Sequence, residues 1–206
     1  MVAVVLAMFP GLRPGHAADD ALPPGMSGRP LSDSMADLMA DSMTDGRAIY
    51  LDGLLDDLAA APSAERAAAI EDMIWEAWQD SGSPSINILM ERGVDALATG
   101  NLDQALGFFE QVVQLAPAYA EGWNKRATVF YLKNEYGRSI SDVEQVLRLE
   151  PRHFGALSGL ALMQIDLGDK KGALETYRRV LAVDPWLEGA KEAEAVLAIE
   201  VEGRGI

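Results

Sequence analysis

The chain has 206 residues, 49 % of them apolar, and 32 Asp and Glu against 17 Lys and Arg give a formal charge of −15. Such a balance lacks the clustered basic surface that a phosphate backbone requires and argues against nucleic acid as a partner. With no Cys, and His16 and His153 as the sole histidines, the chain offers no disulfide, thiol nucleophile, thiolate metal centre or histidine metal cluster.

Val2 to Phe9 form an apolar run, followed by Pro10, Gly11 and then Gly15-His16-Ala17. An apolar core ahead of a small-residue triplet predicts an export signal over residues 1–17, although no Lys or Arg precedes the run. The run is too short to span a bilayer, which takes about 20 apolar residues, so no transmembrane segment is expected in the mature chain. Residues 18–47 are rich in Pro, Gly, Ser and Asp and predict an acidic tether, disordered or partly helical. Within it Met35, Met39 and Met43 recur every fourth residue between Asp33, Asp37, Asp41 and Asp45. On a helix the thioethers share one face, which could bind a soft ion such as Cu(I). Leu38 widens that stripe, and a short amphipathic helix docking on apolar surface explains it more simply.

Residues 48–60 and 64–80 predict a helical hairpin. Ile70, Ile74 and Trp78 share a face of its second helix. The segment 48–85 therefore reads as a degenerate amino-terminal repeat. Beyond it an internal period dominates: Pro117, Pro151 and Pro185 recur every 34 residues. On that period Gly93 aligns with Ala127 and Ala161, Ala105 with Ser139 and Ala173, and Phe109 with Val143 and Tyr177. Three units follow, 86–119, 120–153 and 154–187, and a period of this size marks stacked supersecondary units. Each unit reads as two helices. In the first, Ser83 and Pro84 suit a helix start, Gly100 breaks the pattern, and Asn101 with Gln104 forms a capping pair for the second helix. Residues 188–206 carry Ala190, Ala193 and Leu197 on one side and charge on the other, as an end cap should.

These residues resemble the tetratricopeptide repeat (TPR) family. Its pattern of large, small, Gly, Ala, aromatic and Pro is met by Leu89, Gly93, Gly100, Ala105, Phe109 and Pro117 in unit one. Trp123, Ala127, Phe130, Tyr136 and Pro151 carry it in unit two, and Leu157, Leu160, Ala161, Gly168, Ala173, Tyr177 and Pro185 in unit three. The units cover 102 of the 206 residues. Departures are Ser139 for Ala, Asn134 for Gly, and Arg92 and Arg126 where Leu is usual. An Arg there can keep its stem packed and its head wet, or pair with an acid such as Glu110 or Glu144. The resemblance implies an all-α superhelix, a solenoid of three repeats with the amino-terminal hairpin and a carboxy-terminal capping helix.

No catalytic signature is present: neither HExxH nor GxSxG, no P-loop and no dinucleotide fingerprint. No cofactor, metal site or enzymatic activity is expected. His153 reads as a turn or capping group between units two and three, and the four Trp as core or inter-repeat anchors. By resemblance, the first helices line a groove that binds protein or peptide segments. The face with spacings of 3 and 4 carries Asn87, Met90 and Val94, then Glu121, Asn124, Thr128 and Tyr131, then Ser158, Leu162 and Ile165. It has no Lys or Arg, whereas family modules that grip a terminal carboxylate use a basic clamp there. The expected function is a non-enzymatic scaffold of the bacterial envelope, periplasmic or secreted, that binds a protein or peptide partner. The alternatives are a metal-handling accessory using Met35, Met39 and Met43, or an accessory subunit of an envelope enzyme. Residues 31–45 could themselves lie in the groove.

Overall fold

A computed structural model describes residues 33–203, with side chains from residue 46 onward. All regular structure among the described residues is helical: α1 (Asp33–Ala59), α2 (Ala64–Gln79), α3 (Pro84–Ala98), α4 (Leu102–Leu115), α5 (Ala120–Leu132), α6 (Tyr136–Leu149), α7 (Phe154–Asp166), α8 (Lys170–Val183) and α9 (Glu188–Glu202). None of these helices is long and apolar enough to cross a membrane. The predicted signal, residues 1–17, lies outside the described residues. So do the Met35, Met39 and Met43 side chains, although their backbone belongs to α1.

The 34-residue period is a period of backbone geometry. Within each unit the first helix ends in a residue of positive φ: Gly100 (78°), Asn134 (58°) and Gly168 (82°). The left-handed turn lets the next N–H reach back into the helix, as in Asn101 N–H to Ala96 O, Glu135 N–H to Phe130 O and Asp169 N–H to Gln164 O, each 2.8 Å. Asn is the side chain that best tolerates this region after Gly, which explains why Asn134 can replace the usual glycine. The second helices then start on caps. Asn101 Oδ1 accepts the Gln104 N–H at 3.3 Å while its Nδ2 donates to Gln104 Oε1, and Asp169 accepts the Gly172 N–H at 2.9 Å. Ser83 occupies the cap position before Pro84, but its side chain makes no capping bond.

Paired helices approach closely because the matched columns are small. A Cβ at Gly93 would fall 2.4 Å from Phe109 Cε1, and Ala105, Ala161 and Ala173 are fully buried. Ser139 is accommodated because its hydroxyl donates to Ala127 O at 2.7 Å across the α5–α6 contact. Arg126 does not use Glu110 or Glu144. Its guanidinium takes both oxygens of Asp142 at 2.7 Å and lies 4.8 Å from the Trp123 ring centroid. At the carboxy end α9 packs Ala190 and Leu197 into the core, and Arg178 binds Glu194 and Glu202 across the α8–α9 contact.

The hairpin α1–α2 sits elsewhere than ahead of unit one. Its Leu54, Leu55, Leu58, Ile70, Ile74, Trp75 and Trp78 join one core with Phe154, Leu157, Leu174, Tyr177 and Val180 of unit three. Ile86, Met90, Phe109 and Val112 form a separate core in unit one. Polar contacts fasten the hairpin along its length. Trp186 Nε1 donates to Ala61 O at 2.8 Å, Tyr119 Oη to Gln79 O at 2.7 Å, and Arg152 bridges to Asp52 and Asp56.

One fastening is protonic. Asp184, just after α8, is fully buried. Its Oδ1 accepts the Trp186 N–H at 2.9 Å, and as a carboxylate its Oδ2 has no partner among the described residues. The Glu71 carboxyl of α2 stands beside it. Burial, then the charge and hydrogen bond of Asp184, push Glu71 up to about 7. Burial also raises Asp184, against which the Trp186 N–H, Glu71 and Lys191 act. The buried Asp184 charge thus favours the protonated form of Glu71 to higher pH than an exposed carboxyl would hold it. An acid whose pKa rises on folding binds more protons folded than unfolded, so its contribution to stability falls as pH climbs from about 4.5 to about 7. Glu71→Gln supplies a permanent donor. Thermal melts should show the variant more stable than the parent at pH 8, by about 1 kcal/mol or ~2–4 °C. The difference should vanish by pH 4.

Candidate functional site in the concave groove

The first helices α3, α5 and α7 stack side by side, so the expected groove positions run across them in tiers. The tier nearest the helix starts is occupied by the chain itself. Asn87 binds the α2–α3 link: its Nδ2 donates to Asp80 Oδ1 at 2.9 Å, and its Oδ1 accepts from the Ser81 N–H and hydroxyl at 2.9 and 2.6 Å. Glu121 is fully buried beneath the hairpin. Its Oε1 lies 2.8 Å from Lys125 Nζ, and its Oε2 accepts from Asn124 Nδ2 at 2.9 Å and from His153 Nε2 at 3.1 Å. His153 caps α7 by accepting the Ala156 N–H on Nδ1 at 3.2 Å, which leaves the ring proton on Nε2, facing Glu121.

Two indoles lie over this cluster. The Trp78 ring stacks on the His153 ring at 3.9 Å and 7° between planes. Trp75 meets Trp78 and Phe154 edge-on at 5.2 and 5.3 Å. Lys125 Nζ sits 5.9 Å from a Trp75 ring centroid. A Cβ at Gly155 would fall 2.6 Å from Trp75 Cη2, so this glycine exists to admit the indole. Burial alone would raise the Glu121 carboxyl. The Lys125 charge and the His153 hydrogen bond outweigh it and hold the group at about 2. The carboxylate is therefore fully committed at neutral pH and unavailable to a partner.

In the farther tier the hairpin is absent, but only Tyr131 and Leu162 reach the surface; Asn124, Thr128 and Met163 are buried. Asn124, Thr128 and Tyr131 of α5 face Gly159, Leu162 and Met163 of α7 across a narrow crevice with room for about one water, with Ser139 and Val143 of α6 among its lining. Thr128 Oγ1 donates to Asn124 O at 3.0 Å and Ser158 Oγ to Phe154 O at 2.8 Å, so both hydroxyls are used within their own helices. At the end of α7, Asp166 Oδ2 accepts from Tyr131 Oη at 3.1 Å and from Tyr136 Oη at 3.3 Å. Burial first, then the Asp166 hydrogen bond, push the Tyr131 hydroxyl up to about 12, so it remains a donor at neutral pH.

Of the ten positions read from the sequence, Asn124, Thr128, Tyr131 and Leu162 line this crevice, the first two buried and the last two part-exposed. Asn87 and Glu121 are tied up by the hairpin and its link. Met90 is buried in the unit-one core with Val94 packed on it, and Ile165 packs on the unit-three core. Trp75, Trp78, Lys125 and Asp166 were not anticipated as groove residues. Asp166 had a signal, since it follows Leu162 by four residues on α7 and so shares its face. The path of the hairpin had none. Among the described residues no group of three His, Asp or Glu could hold a metal.

Gly155 tests the cover directly. Gly→Ala inside a helix ordinarily stabilises by up to ~1 kcal/mol. Under Trp75 the added methyl should overpack and cost ~1–3 kcal/mol instead. In a Trp75→Ala background the sign should revert, with Gly155→Ala neutral or stabilising. Urea denaturation of the four proteins of this cycle reads it out.

Comparison with known proteins agrees with this architecture. A family model described as tetratricopeptide repeat matches residues 90–143 and 133–185. A TPR repeat-containing protein of Rhizobium etli is 38 % identical over 153 residues, covering 74 % of this chain and 75 % of the relative. Among solved structures, the TPR2B-domain:pHsp70 complex of yeast Sti1 superposes with a TM-score of 0.53 at 17 % identity, over 57 % of this chain and 99 % of that one. A MamA protein gives 0.54 at 17 % identity, over 77 % and 84 %. At these identities the two structures speak for the fold alone. Together with the periodic turns and small-residue columns, the Rhizobium relative establishes that the chain belongs to the tetratricopeptide repeat family.

Proposed function

We propose that the chain is a non-enzymatic scaffold that binds a segment of a partner protein over Tyr131 and Leu162, at the groove face between α5 and α7. Repeats of this family generally serve protein–protein interaction. The observation that carries the reading to this place is the crevice itself. It sets the part-exposed, hydroxyl-bearing Tyr131 beside the part-exposed, apolar Leu162, with Asn124 and Met163 buried beneath them. A hydroxyl donor beside apolar area suits an extended segment that lies across the mouth of the crevice. The other half of the groove, under Trp75 and Trp78, is filled by the chain's own hairpin. The TPR2B domain of yeast Sti1, solved in complex with pHsp70, shares this fold.

We also place the scaffold in the bacterial envelope, periplasmic or secreted. The apolar run Val2–Phe9 and the triplet Gly15-His16-Ala17 support this reading. Amino-terminal sequencing of protein recovered from cells should begin after Ala17; an intact Met1 in a purely cytosolic fraction would overturn it.

The groove reading is tested by capture from cell extracts on two immobilised proteins, the parent and Asn124→Ala/Tyr131→Ala. Partners held by the parent should be lost from the variant, since truncating a central aromatic contact costs ~1–3 kcal/mol of binding. Circular dichroism should show the same helix content in both. Equal retention by the folded variant would mean that the partner uses another surface.

A further inference from the structure

The 34-residue period does not stop at unit three. On it Ala190 of α9 falls in the column of Ala156, and Leu197 in that of Val129 and Met163, and all of these are buried. The last helix is thus seated on α8 as the first helix of a further unit. Val196 and Ile199 then fall in the columns of Leu162 and Ile165, on the groove face. They are 57 % and 52 % exposed, and Leu162 and Ile165 are partly exposed. An aliphatic band therefore runs from α7 onto α9. A terminal unit ordinarily turns a polar face to water, so aliphatic side chains left bare in one band mark a contact surface.

The band discriminates among occupants. A second copy docked through α9 would bring Glu192 and Glu200, which stand four residues before and after Val196, near their own counterparts. Two half-exposed side chains per copy also supply far less than the ~1,200 Å² of a stable interface. An anionic lipid surface is repelled by the formal charge of −15. A protein segment with basic edges is complementary to the flanking carboxylates, of which Glu200 already holds Lys170 at 3.0 Å and Glu192 is exposed. Leu162, Ile165, Val196 and Ile199 offer no side-chain donor or acceptor. A segment lying on them must pair its own backbone groups, as a helix does. Neighbouring helices of the row lie about 8–10 Å apart. Positions i and i+7 of a helix crossing them are separated by about 10.5 Å and meet one row each.

We propose that the partner segment passing over Tyr131 and Leu162 continues onto α9 as an amphipathic helix, with its apolar stripe on Leu162, Ile165, Val196 and Ile199 and a basic edge toward Glu192. The proposal rests on the groove reading above and gives the partner a shape and a chemistry. The segment is extended at the crevice mouth, where the Tyr131 hydroxyl is at hand, and helical beyond it.

Three labelled eighteen-residue peptides test this: a Leu/Lys chain whose leucines form one helical stripe, a chain of the same composition with the stripe scrambled, and the striped chain with Glu in place of Lys. Fluorescence anisotropy with the full chain should place the striped Leu/Lys peptide at least tenfold tighter than the scrambled one, and the Glu peptide last. Val196→Ser/Ile199→Ser should weaken the striped peptide about tenfold or more. Both positions are exposed, so melting curves should match the parent. Glu192→Lys should narrow the gap between the Lys and Glu peptides. If the striped peptide ignores Val196→Ser/Ile199→Ser but loses binding in Asn124→Ala/Tyr131→Ala, the groove reading stands and its extension onto α9 falls. If it ignores both variants, both readings fall. Equal binding of striped and scrambled peptides, or no binding of either, overturns the helical stripe. A parent that sediments as a dimer, made monomeric by Val196→Ser/Ile199→Ser, would assign the band to a second copy and overturn the proposal.

Discussion

Trp78 stacked on His153 is the contact on which the arrangement of the chain depends. Repeats stack by nearest-neighbour burial, so a hairpin ahead of unit one would ordinarily extend the row. Here its aromatic face meets unit three instead. His153 caps α7 with one ring nitrogen, points the other at Glu121, and offers its flat face to an indole. A residue at a repeat junction thereby ties α2, α5 and α7 together. Glycine at position 155 is the complementary concession, because any side chain there would push Trp75 away.

That contact divides the groove electrostatically as well as sterically. Beneath the indoles a carboxylate, an ammonium and an imidazole satisfy one another. Removing one partner would strand a buried charge, a loss of ~3–5 kcal/mol. The indole N–H groups of Trp75 and Trp78 are themselves buried without partners among the described residues, so the cover is held by apolar burial and ring contacts more than by hydrogen bonds. Beyond the indoles, the crevice keeps Asp166 at the surface with two tyrosines directing it. The same solenoid face is thus covered by the indoles at one end and bare of the hairpin at the other, where Asp166 is exposed.

The repeats were legible because their determinants are local. Gly100, Asn134 and Gly168 mark turns that require positive φ, and Ala105, Ser139 and Ala173 mark the close helix contacts. Each leaves a residue type in a column of the 34-residue period. Spacing along α5 likewise told that Asn124, Thr128 and Tyr131 share a face. What spacing could not tell is what else lies on that face. The Trp75–Gly155 and Trp186–Ala61 contacts join residues far apart in sequence through side chains that would suit an ordinary repeat core equally well. Arg126 shows the same limit on a smaller scale. Its need for an acid was readable, but the choice of Asp142 over Glu144 depends on the rotation of α6 against α5.

Amide hydrogen exchange of the intact chain, followed by mass spectrometry, tests the docked hairpin most directly. If α2 shares a core with unit three, its amides should open with those of α7 and α8 and show comparable protection, and Trp78→Ala should release α2 preferentially. Exchange in α2 orders of magnitude faster than in a fully protected α7 would show that the hairpin does not cover the groove.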